Sequence, residues 1–136
     1  MTVKPAVLFV CSKNGGKSQM AAGLMKLEAG DDVVVTSAGT KPAEKINTLS
    51  AEVLLDAGVD IRAEVPKPLT AENMSAAGLV IVLGAEAQVE PVDGVVIERW
   101  ETDEPSARGI EGRERMELVR DDIHARVKAL KARLLG

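Results

Sequence analysis

Hydrophobic residues along the chain form short continuous runs that alternate with segments of helical periodicity. Four runs rich in Val, Ile and Leu are bounded by polar residues or glycine, and such runs are typical of strands buried on both faces. The predicted strands cover residues 6–10, 33–36, 79–83 and 95–97. Elsewhere apolar positions recur every three or four residues, which predicts helices. The predicted helices cover residues 17–29, 47–57, 70–73 and 109–135.

This alternation of apolar strands and helices predicts a three-layer α/β fold, with a parallel sheet covered by helices on both faces. The chain has 136 residues without repeats or linkers, and we expect a single domain over residues 1–136. In such folds the ligand binds at the carboxyl ends of the strands. Cys11 directly follows the first predicted strand, so it lies where a ligand is expected.

The segment that follows the first strand is a glycine-rich loop with the only cysteine of the chain at its start. It comprises residues 11–18, and a predicted helix begins at its end. Backbone N–H groups of such a loop bind oxyanions, and nearby lysines add positive charge. The same features favour the thiolate form of Cys11, which the hydroxyl of Ser18 is able to hold by a hydrogen bond. The predicted oxyanion site consists of Ser12, Lys13, Asn14, Gly15, Gly16, Lys17 and Ser18, with Cys11 as the nucleophile.

Two other interpretations of this loop explain less of it. A plain strand-to-helix turn with a buried structural cysteine accounts for Cys11, but not for the glycines, lysines and serine that accompany it. A nucleotide P-loop matches Gly16, Lys17 and Ser18, but Cys11 stands where its first glycine belongs. No later strand ends in an aspartate that could hold Mg²⁺. The sequence therefore favours an oxyanion-binding loop with a sulfur nucleophile.

Composition excludes several classes of function. A net charge of −4, one Phe, one Trp and no Tyr argue against a nucleic-acid partner and leave no aromatic wall for a phosphotyrosine ring. No run of about 18 apolar residues predicts a membrane span, and the first residues lack a signal-peptide pattern. A lone cysteine forms no internal disulfide, which fits a cytoplasmic protein. No Cys/His cluster predicts a metal site.

The order of motifs resembles the low-molecular-weight protein tyrosine phosphatases and the arsenate reductases that share their fold. The loop carries their Cys-x₅-[Arg/Lys]-Ser signature, and Trp100 precedes Glu104 and Pro105 where the family carries Asp-Pro. Segments 18–21, 36–40, 58–60, 66–69, 79–83 and 120–123 also follow in family order. The resemblance covers nearly the whole chain and implies a four-stranded parallel sheet of order 2-1-3-4.

Departures from the family pattern narrow the range of functions that the resemblance implies. Lys17 replaces an arginine that grips two oxygens of a phosphoryl group, a change that harms a phosphomonoesterase most. Gly84 and Glu90 stand near the places of two further cysteines in thioredoxin-coupled arsenate reductases, so no internal thiol resolves Cys11. Ala22 replaces a glutamate that helps some relatives hold potassium.

The resemblance therefore implies the single-cysteine branch that transfers arsenate to mycothiol. Arsenate is the substrate, mycothiol the co-substrate and the glutaredoxin-like mycoredoxin the downstream partner, with no tightly bound cofactor. Glutathione is the other small thiol that this sequence allows. A low-molecular-weight phosphatase and a non-catalytic oxyanion-binding protein are the alternative functions, and both a monomer and a homodimer fit the sequence.

An acidic segment before Pro105 supplies the candidate proton donor. The resemblance implies Glu104 for this role, with Asp103 as the second candidate. Because Glu101 lies close by, a solvated acidic turn is the alternative interpretation.

Overall fold

Four parallel strands form the central sheet of the computed structural model, which describes residues 3–136. They are β1 Ala6–Cys11, β2 Val34–Gly39, β3 Leu79–Leu83 and β4 Val96–Trp100. Their spatial order is β2-β1-β3-β4, and every neighbouring pair is parallel. The predicted strand order is therefore confirmed.

Four α-helices connect and cover the strands: α1 Lys17–Ala29, α2 Thr48–Asp56, α3 Ala71–Ala77 and α4 Gly112–Leu135. At the starts of α2 and α3, side chains satisfy backbone N–H groups that have no partner inside the helix. The Asn47 side chain accepts from the Ser50 N–H at α2, and Thr70 and Asn73 form a reciprocal capping box at α3. Two short 3₁₀ turns, Gly30–Asp32 and Pro105–Arg108, lie beside α1 and before α4.

Two apolar clusters lie on opposite faces of the sheet, because successive strand side chains point to opposite sides. Val7 and Phe9 of β1 belong to the larger cluster, which includes residues of α1, α2 and α4. Leu8 and Val10 belong to the smaller cluster, which includes Met74 of α3. Helices thus cover both faces, as the uninterrupted apolar strands predict.

Several details differ from the sequence-based expectations. Residues 37–39, predicted as loop, continue β2 because they pair with residues 9–11 of β1. Strand β4 ends at Trp100 rather than at residue 97 because it pairs with the whole of β3, and α3 ends at Ala77 rather than at residue 73. Helix α4 begins at Gly112 rather than at residue 109, because a 3₁₀ turn precedes it and Gly109 adopts a left-handed φ of 80°. Leu27, whose helical spacing from Met20 and Leu24 predicts a place on the buried face of α1, is 49% exposed.

The carboxyl ends of β1, β3 and β4 bring three distant segments to one edge of the sheet. The glycine-rich loop follows β1, Gly84 follows β3, and the acidic segment follows β4. The Gly84 N–H donates to the Trp100 carbonyl and ties the last two ends together. Among residues 3–136, no helix has the length and apolar character needed to cross a membrane.

Candidate active site

The loop after β1 turns its carbonyl groups outward and its N–H groups inward. The carbonyls of Cys11, Ser12, Lys13 and Gly15 accept hydrogen bonds from the N–H groups of Thr40, Lys41, Ala43 and Asn47, respectively. In a planar trans peptide the following N–H points opposite to the carbonyl. The N–H groups of residues 12, 13, 14 and 16 therefore face the inside of the loop, as an oxyanion site requires.

The sulfur of Cys11 lies within this ring of donors. The Asn14 N–H donates to Sγ over 3.2 Å, and the Ser18 hydroxyl lies 2.9 Å from Sγ. Cys11 is 8% exposed, so the sulfur is reached from one side while its donors approach from the protein. The contact between the Ser18 hydroxyl and the sulfur is the one expected from the loop sequence.

Asn14 holds the Ser18 hydroxyl that contacts the sulfur. Its Nδ2 donates to Ser18 Oγ over 2.7 Å, while its Oδ1 accepts from the Lys67 N–H and from Gln19 Nε2. The proton of the Ser18 hydroxyl is not used in the contact with Asn14, so it is available for the sulfur of Cys11. Asn14 has a φ of 51° and is fully buried, so a left-handed turn and a closed hydrogen-bond network coincide at one residue.

The cleft in front of Cys11 is lined by five residues of the predicted oxyanion site, namely Ser12, Lys13, Gly15, Gly16 and Lys17. Asn14 and Ser18, assigned to the same oxyanion site from the sequence, are fully buried. Their side chains hold the sulfur and the loop from behind rather than lining the cleft. Their part in anion binding is thus restricted to the backbone and to the orientation of Cys11.

Two glycines allow the close approach of neighbouring backbone to the loop. A Cβ on Gly39 would lie 2.8 Å from the Ser12 carbonyl oxygen and 3.0 Å from the Asn14 nitrogen. A Cβ on Gly15 would lie 3.2 Å from the Lys45 carbonyl oxygen. Gly39 therefore supports the site from β2, a role that the sequence alone did not reveal.

Lys17 and Glu104 form an ion pair at the cleft. Nζ of Lys17 donates to Oε1 of Glu104 over 2.5 Å, and both residues line the cleft with Cys11. Gly84, with a φ of 87°, lies beneath this lysine, since a Cβ there would lie 3.3 Å from Nζ. A predicted anion-binding cation and a predicted acid are thus in direct contact.

Asp103 lies apart from this pair. Both of its carboxylate oxygens accept from the Arg108 guanidinium, at 2.8 and 3.2 Å. This hydrogen bond lowers the pKa of Asp103 and so favours its ionised form, which carries no proton to donate. Asp103 is not among the residues that line the cleft, so of the two predicted acids only Glu104 faces Cys11.

The cleft in front of Cys11 has a volume of about 760 Å³, much more than one tetrahedral oxyanion fills. Small-molecule sites occupy roughly 300–1,000 Å³, so there is room for a second reactant. The ionisable side chains that line it, besides Cys11, are Lys13, Lys17, Lys45 and Arg115 against Glu86 and Glu104. This excess of two positive charges, in a chain of net charge −4, favours anionic substrates.

Several residues that line the cleft were not predicted from the sequence. Lys45, Ser50 and Arg115 come from the segment before α2, from α2 and from α4, and only the folded chain brings them to Cys11. Trp100 packs against Phe9, with ring centroids 5.8 Å apart, and does not line the cleft. Within residues 3–136, no group of three His, Cys, Asp or Glu side chains is arranged to hold a metal ion.

Comparison with known proteins agrees with this geometry. The family described as low molecular weight phosphotyrosine protein phosphatase matches residues 6–135. The arsenate reductase of Bacillus licheniformis is 33% identical over 131 residues, which are 92% of this chain and 94% of that protein. The glutaredoxin arsenate reductase of Synechocystis is 28% identical over 131 residues, 94% of this chain and 97% of that protein.

A solved relative shows the same fold. The thioredoxin-dependent arsenate reductase of Corynebacterium glutamicum superposes with a TM-score of 0.81 at 33% identity, over 98% of this chain. This chain spans 63% of that longer one. The family match over residues 6–135, with relatives named as arsenate reductases, shows that this chain belongs to the low molecular weight phosphotyrosine protein phosphatase family.

Proposed function

We propose that this protein is an arsenate reductase that uses Cys11 to transfer arsenate to a small thiol, with mycothiol as the co-substrate. The observation that carries the proposal is the lone sulfur in the cleft: Cys11 is the only cysteine of the chain and a free thiol. Reduction of arsenate to arsenite needs two electrons, which two thiols supply when they form a disulfide. The second thiol must therefore come from another molecule.

Arsenate binding follows from the inward N–H groups of the loop and from the positive charge of the cleft. The backbone donors of residues 12, 13 and 16 hold the oxygens, while Lys13 and Lys17 offset their charge. In the free protein the Glu104 carboxylate is paired with the Lys17 ammonium group, so arsenate competes with this carboxylate for that group. Entry of the substrate thus releases Glu104 to act on a leaving oxygen.

The transfer step exchanges one oxygen of arsenate for sulfur and changes no oxidation state. Glu104, a carboxylate in its ion pair with Lys17, takes the proton of the attacking thiol and passes it to an arsenate hydroxyl. The arsenic–oxygen bond breaks, this hydroxyl leaves as water, and an arsenic–sulfur bond forms. Either Cys11 attacks arsenic first and the mycothiol thiolate displaces it, or Cys11 assists direct attack by mycothiol. Both routes end with a mycothiol–arsenate conjugate and free Cys11.

Release of arsenite follows outside this site. A second thiol, for which mycoredoxin is the proposed source, attacks the conjugate sulfur and forms a disulfide with it. The electron pair of the broken arsenic–sulfur bond stays on arsenic, which leaves as arsenite. The Synechocystis relative, named a glutaredoxin arsenate reductase, supports a glutaredoxin-like partner for this step.

Lys17 supports arsenate transfer over phosphomonoester hydrolysis. A lysine presents one compact charge, whereas an arginine holds two oxygens of a phosphoryl group at once. Loss of one charge-assisted hydrogen bond costs about 1.5–3 kcal/mol, or about 10- to 150-fold in rate. The phosphatase alternative predicts hydrolysis of an aryl phosphate without added thiol, and the binding-protein alternative predicts phosphate binding without turnover.

The test is arsenite formation with three reducing systems: mycothiol plus mycoredoxin, glutathione plus glutaredoxin, and thioredoxin with its reductase. We expect turnover with mycothiol plus mycoredoxin, none with thioredoxin, and none for Cys11→Ser in any system. Turnover with thioredoxin alone, or activity retained by Cys11→Ser, would contradict the proposal. Mass spectrometry of the quenched reaction distinguishes the two routes by the presence or absence of a Cys11–arsenic adduct.

A further inference from the structure

Seven of the eight arginines donate hydrogen bonds to a carboxylate or a backbone carbonyl. Arg115 is the exception. Its Nε is buried and has no hydrogen-bond partner within residues 3–136, and its guanidinium forms no ion pair with another described residue. A buried charged donor without an acceptor is unfavourable. The two terminal nitrogens of the same guanidinium have no partner within residues 3–136 either and are not buried, so an acceptor from another molecule is able to reach them from the cleft.

Arg115 lines the same cleft as Cys11 and is connected to the loop through two side chains. Its neighbour Met116 lies 3.9 Å from the Ser50 hydroxyl, measured between Sδ and Oγ. That hydroxyl in turn lies 3.4 Å from the place of a Cβ on Gly16. A ligand at the Cys11 loop that extends along Ser50 and Met116 thus leads towards the guanidinium of Arg115.

Lys45 adds another unpaired cation to the cleft that Arg115 lines. It lines the cleft and forms no ion pair with another residue in the described part of the chain. Lys17 is already neutralised by Glu104, so the free positive charge of the cleft is carried by Lys13, Lys45 and Arg115. An arsenate ion held by the loop is too small to use all of these groups.

We propose that Arg115, with Lys45, binds an oxygen-bearing group of the small-thiol co-substrate while the thiol sulfur reaches arsenate at the Cys11 loop. The identity of this ligand as a thiol rests on the proposed function. The guanidinium donates to hydroxyl and amide oxygens of a mycothiol-type molecule, or to a carboxylate of a glutathione-type molecule. Arg115 is thus a specificity-determining residue for the second reactant and not for arsenate.

Kinetics of Arg115→Gln separate these roles. We expect the KM for the thiol to rise about ten-fold or more, while the KM for arsenate stays within about two-fold of the wild-type value. Arg113→Gln is the matched control, because Arg113 lies on the same helix but is paired with Asp56 and does not line the cleft. A higher KM for arsenate, or an unchanged KM for the thiol, would overturn the inference.

Binding measurements keep this inference separate from the proposed reaction. Calorimetry with S-methyl mycothiol and S-methyl glutathione, which cannot take up arsenate, reports the subsite without turnover. We expect binding to the wild-type protein and a loss of about ten-fold or more in Arg115→Gln. Binding without arsenite formation would refute the proposed function but would support the inference about the subsite. Absence of binding to the wild-type protein, or equal binding to the variant, would refute the subsite.

A further experiment needs no variant, and so does not depend on how Arg115→Gln folds. Phenylglyoxal modifies arginines that the reagent is able to reach, and mass spectrometry locates the modified residues. We expect the S-methyl thiols to protect Arg115 and to leave modification of Arg62 unchanged. Equal modification of Arg115 with and without these ligands would contradict the inference. Binding of S-methyl glutathione that weakens with added salt identifies a carboxylate contact, and salt-independent binding of S-methyl mycothiol identifies hydroxyl and amide contacts.

Discussion

The ammonium group of Lys17 lies 2.5 Å from the carboxylate of Glu104, a residue 87 positions further along the chain. This ion pair joins the first turn of α1 to the segment after β4, at the edge of the sheet where Cys11 lies. Since the two side chains are 24% and 48% exposed, solvent screens the pair and an incoming oxyanion is able to replace the carboxylate. The free protein thus holds its anion-binding cation and its candidate acid together.

Removing the charge of Glu104 separates its two effects. In Glu104→Gln we expect phosphate, an unreactive analogue of arsenate, to bind about two- to five-fold more tightly, because Lys17 loses its competitor. We expect arsenate turnover to fall about ten-fold or more, because the proton donor is lost. Calorimetry with phosphate and the arsenite assay measure the two effects.

Asp103→Asn provides the comparison for that variant. Asp103 is bound to Arg108 and does not line the cleft, so we expect most of the turnover to remain. If Asp103→Asn lost turnover and Glu104→Gln kept it, the assignment of the acid would be reversed.

The hydroxyl of Ser18 is expected to support the reactivity of Cys11. In Ser18→Ala the sulfur loses the donor 2.9 Å away, and we expect alkylation by iodoacetamide at neutral pH to slow about ten-fold. Mass spectrometry of the modified chain measures the rate. Ser75→Ala, an exposed change in α3, is expected to alkylate at the wild-type rate. Equal rates for Ser18→Ala and the wild-type protein would show that this contact does not activate the sulfur.

The Asn14 side chain is expected to contribute both to the stability of the fold and to the geometry of the Cys11 loop. Replacement by alanine removes the acceptor of the Lys67 N–H and the donor to Ser18, and it places alanine at a φ of 51°. We expect Asn14→Ala to lower the free energy of unfolding by about 2 kcal/mol or more, measured by urea denaturation.

Asn14→Gly removes the same hydrogen bonds without the left-handed strain. The difference in unfolding free energy between it and Asn14→Ala therefore measures the cost of the left-handed backbone alone. We expect Asn14→Gly to be more stable than Asn14→Ala by about 1 kcal/mol. Equal stability of the two variants would show that the backbone conformation relaxes when the side chain is lost.

The ion pair between Asp60 and Arg62 is expected to make the stability of the folded protein depend on pH in the acid range. The Arg62 side chain, and then its N–H, lower the pKa of Asp60 to about 2 from the ordinary value of 3.8. A group whose folded pKa is depressed stabilises the folded protein above its unfolded pKa. The stabilisation is lost as pH falls from about 3.8 through about 2. We expect Asp60→Asn to flatten the change in unfolding free energy over this window.

Arg62→Gln tests the cause of that dependence. It removes the partner and keeps the carboxylate, so we expect it to flatten the same window. A wild-type slope in Arg62→Gln would show that another group accounts for the acid dependence.

Features set by local sequence were predicted well. The bounds of α1 and β3 and the strand-to-helix loop around Cys11 follow from neighbouring residues, and the structure confirms them. These features depend on patterns that extend over a few positions: helix periodicity, continuous apolar runs and the alternation of glycine with polar residues. Such patterns are recognisable in a single sequence.

Features that depend on contacts between distant segments were not accessible. Gly39 matters because its backbone touches Ser12 and Asn14, and Arg115 matters because α4 carries it to the cleft. Leu27 has the spacing of a buried residue, but it lies in the last turns of α1 and is 49% exposed. Pairing of residues 37–39 with β1 likewise overrides their turn-like composition.

The central claim is that Cys11 acts alone in its chain and depends on a small thiol from outside. Its most direct test is the product of a single turnover with excess wild-type protein, arsenate and mycothiol, analysed by mass spectrometry without mycoredoxin. We predict a mycothiol–arsenate conjugate, a chain that keeps its free thiol, and no conjugate from Cys11→Ser above the level without protein. Arsenite released in the absence of any added thiol, or conjugate formed equally by Cys11→Ser, would contradict the account.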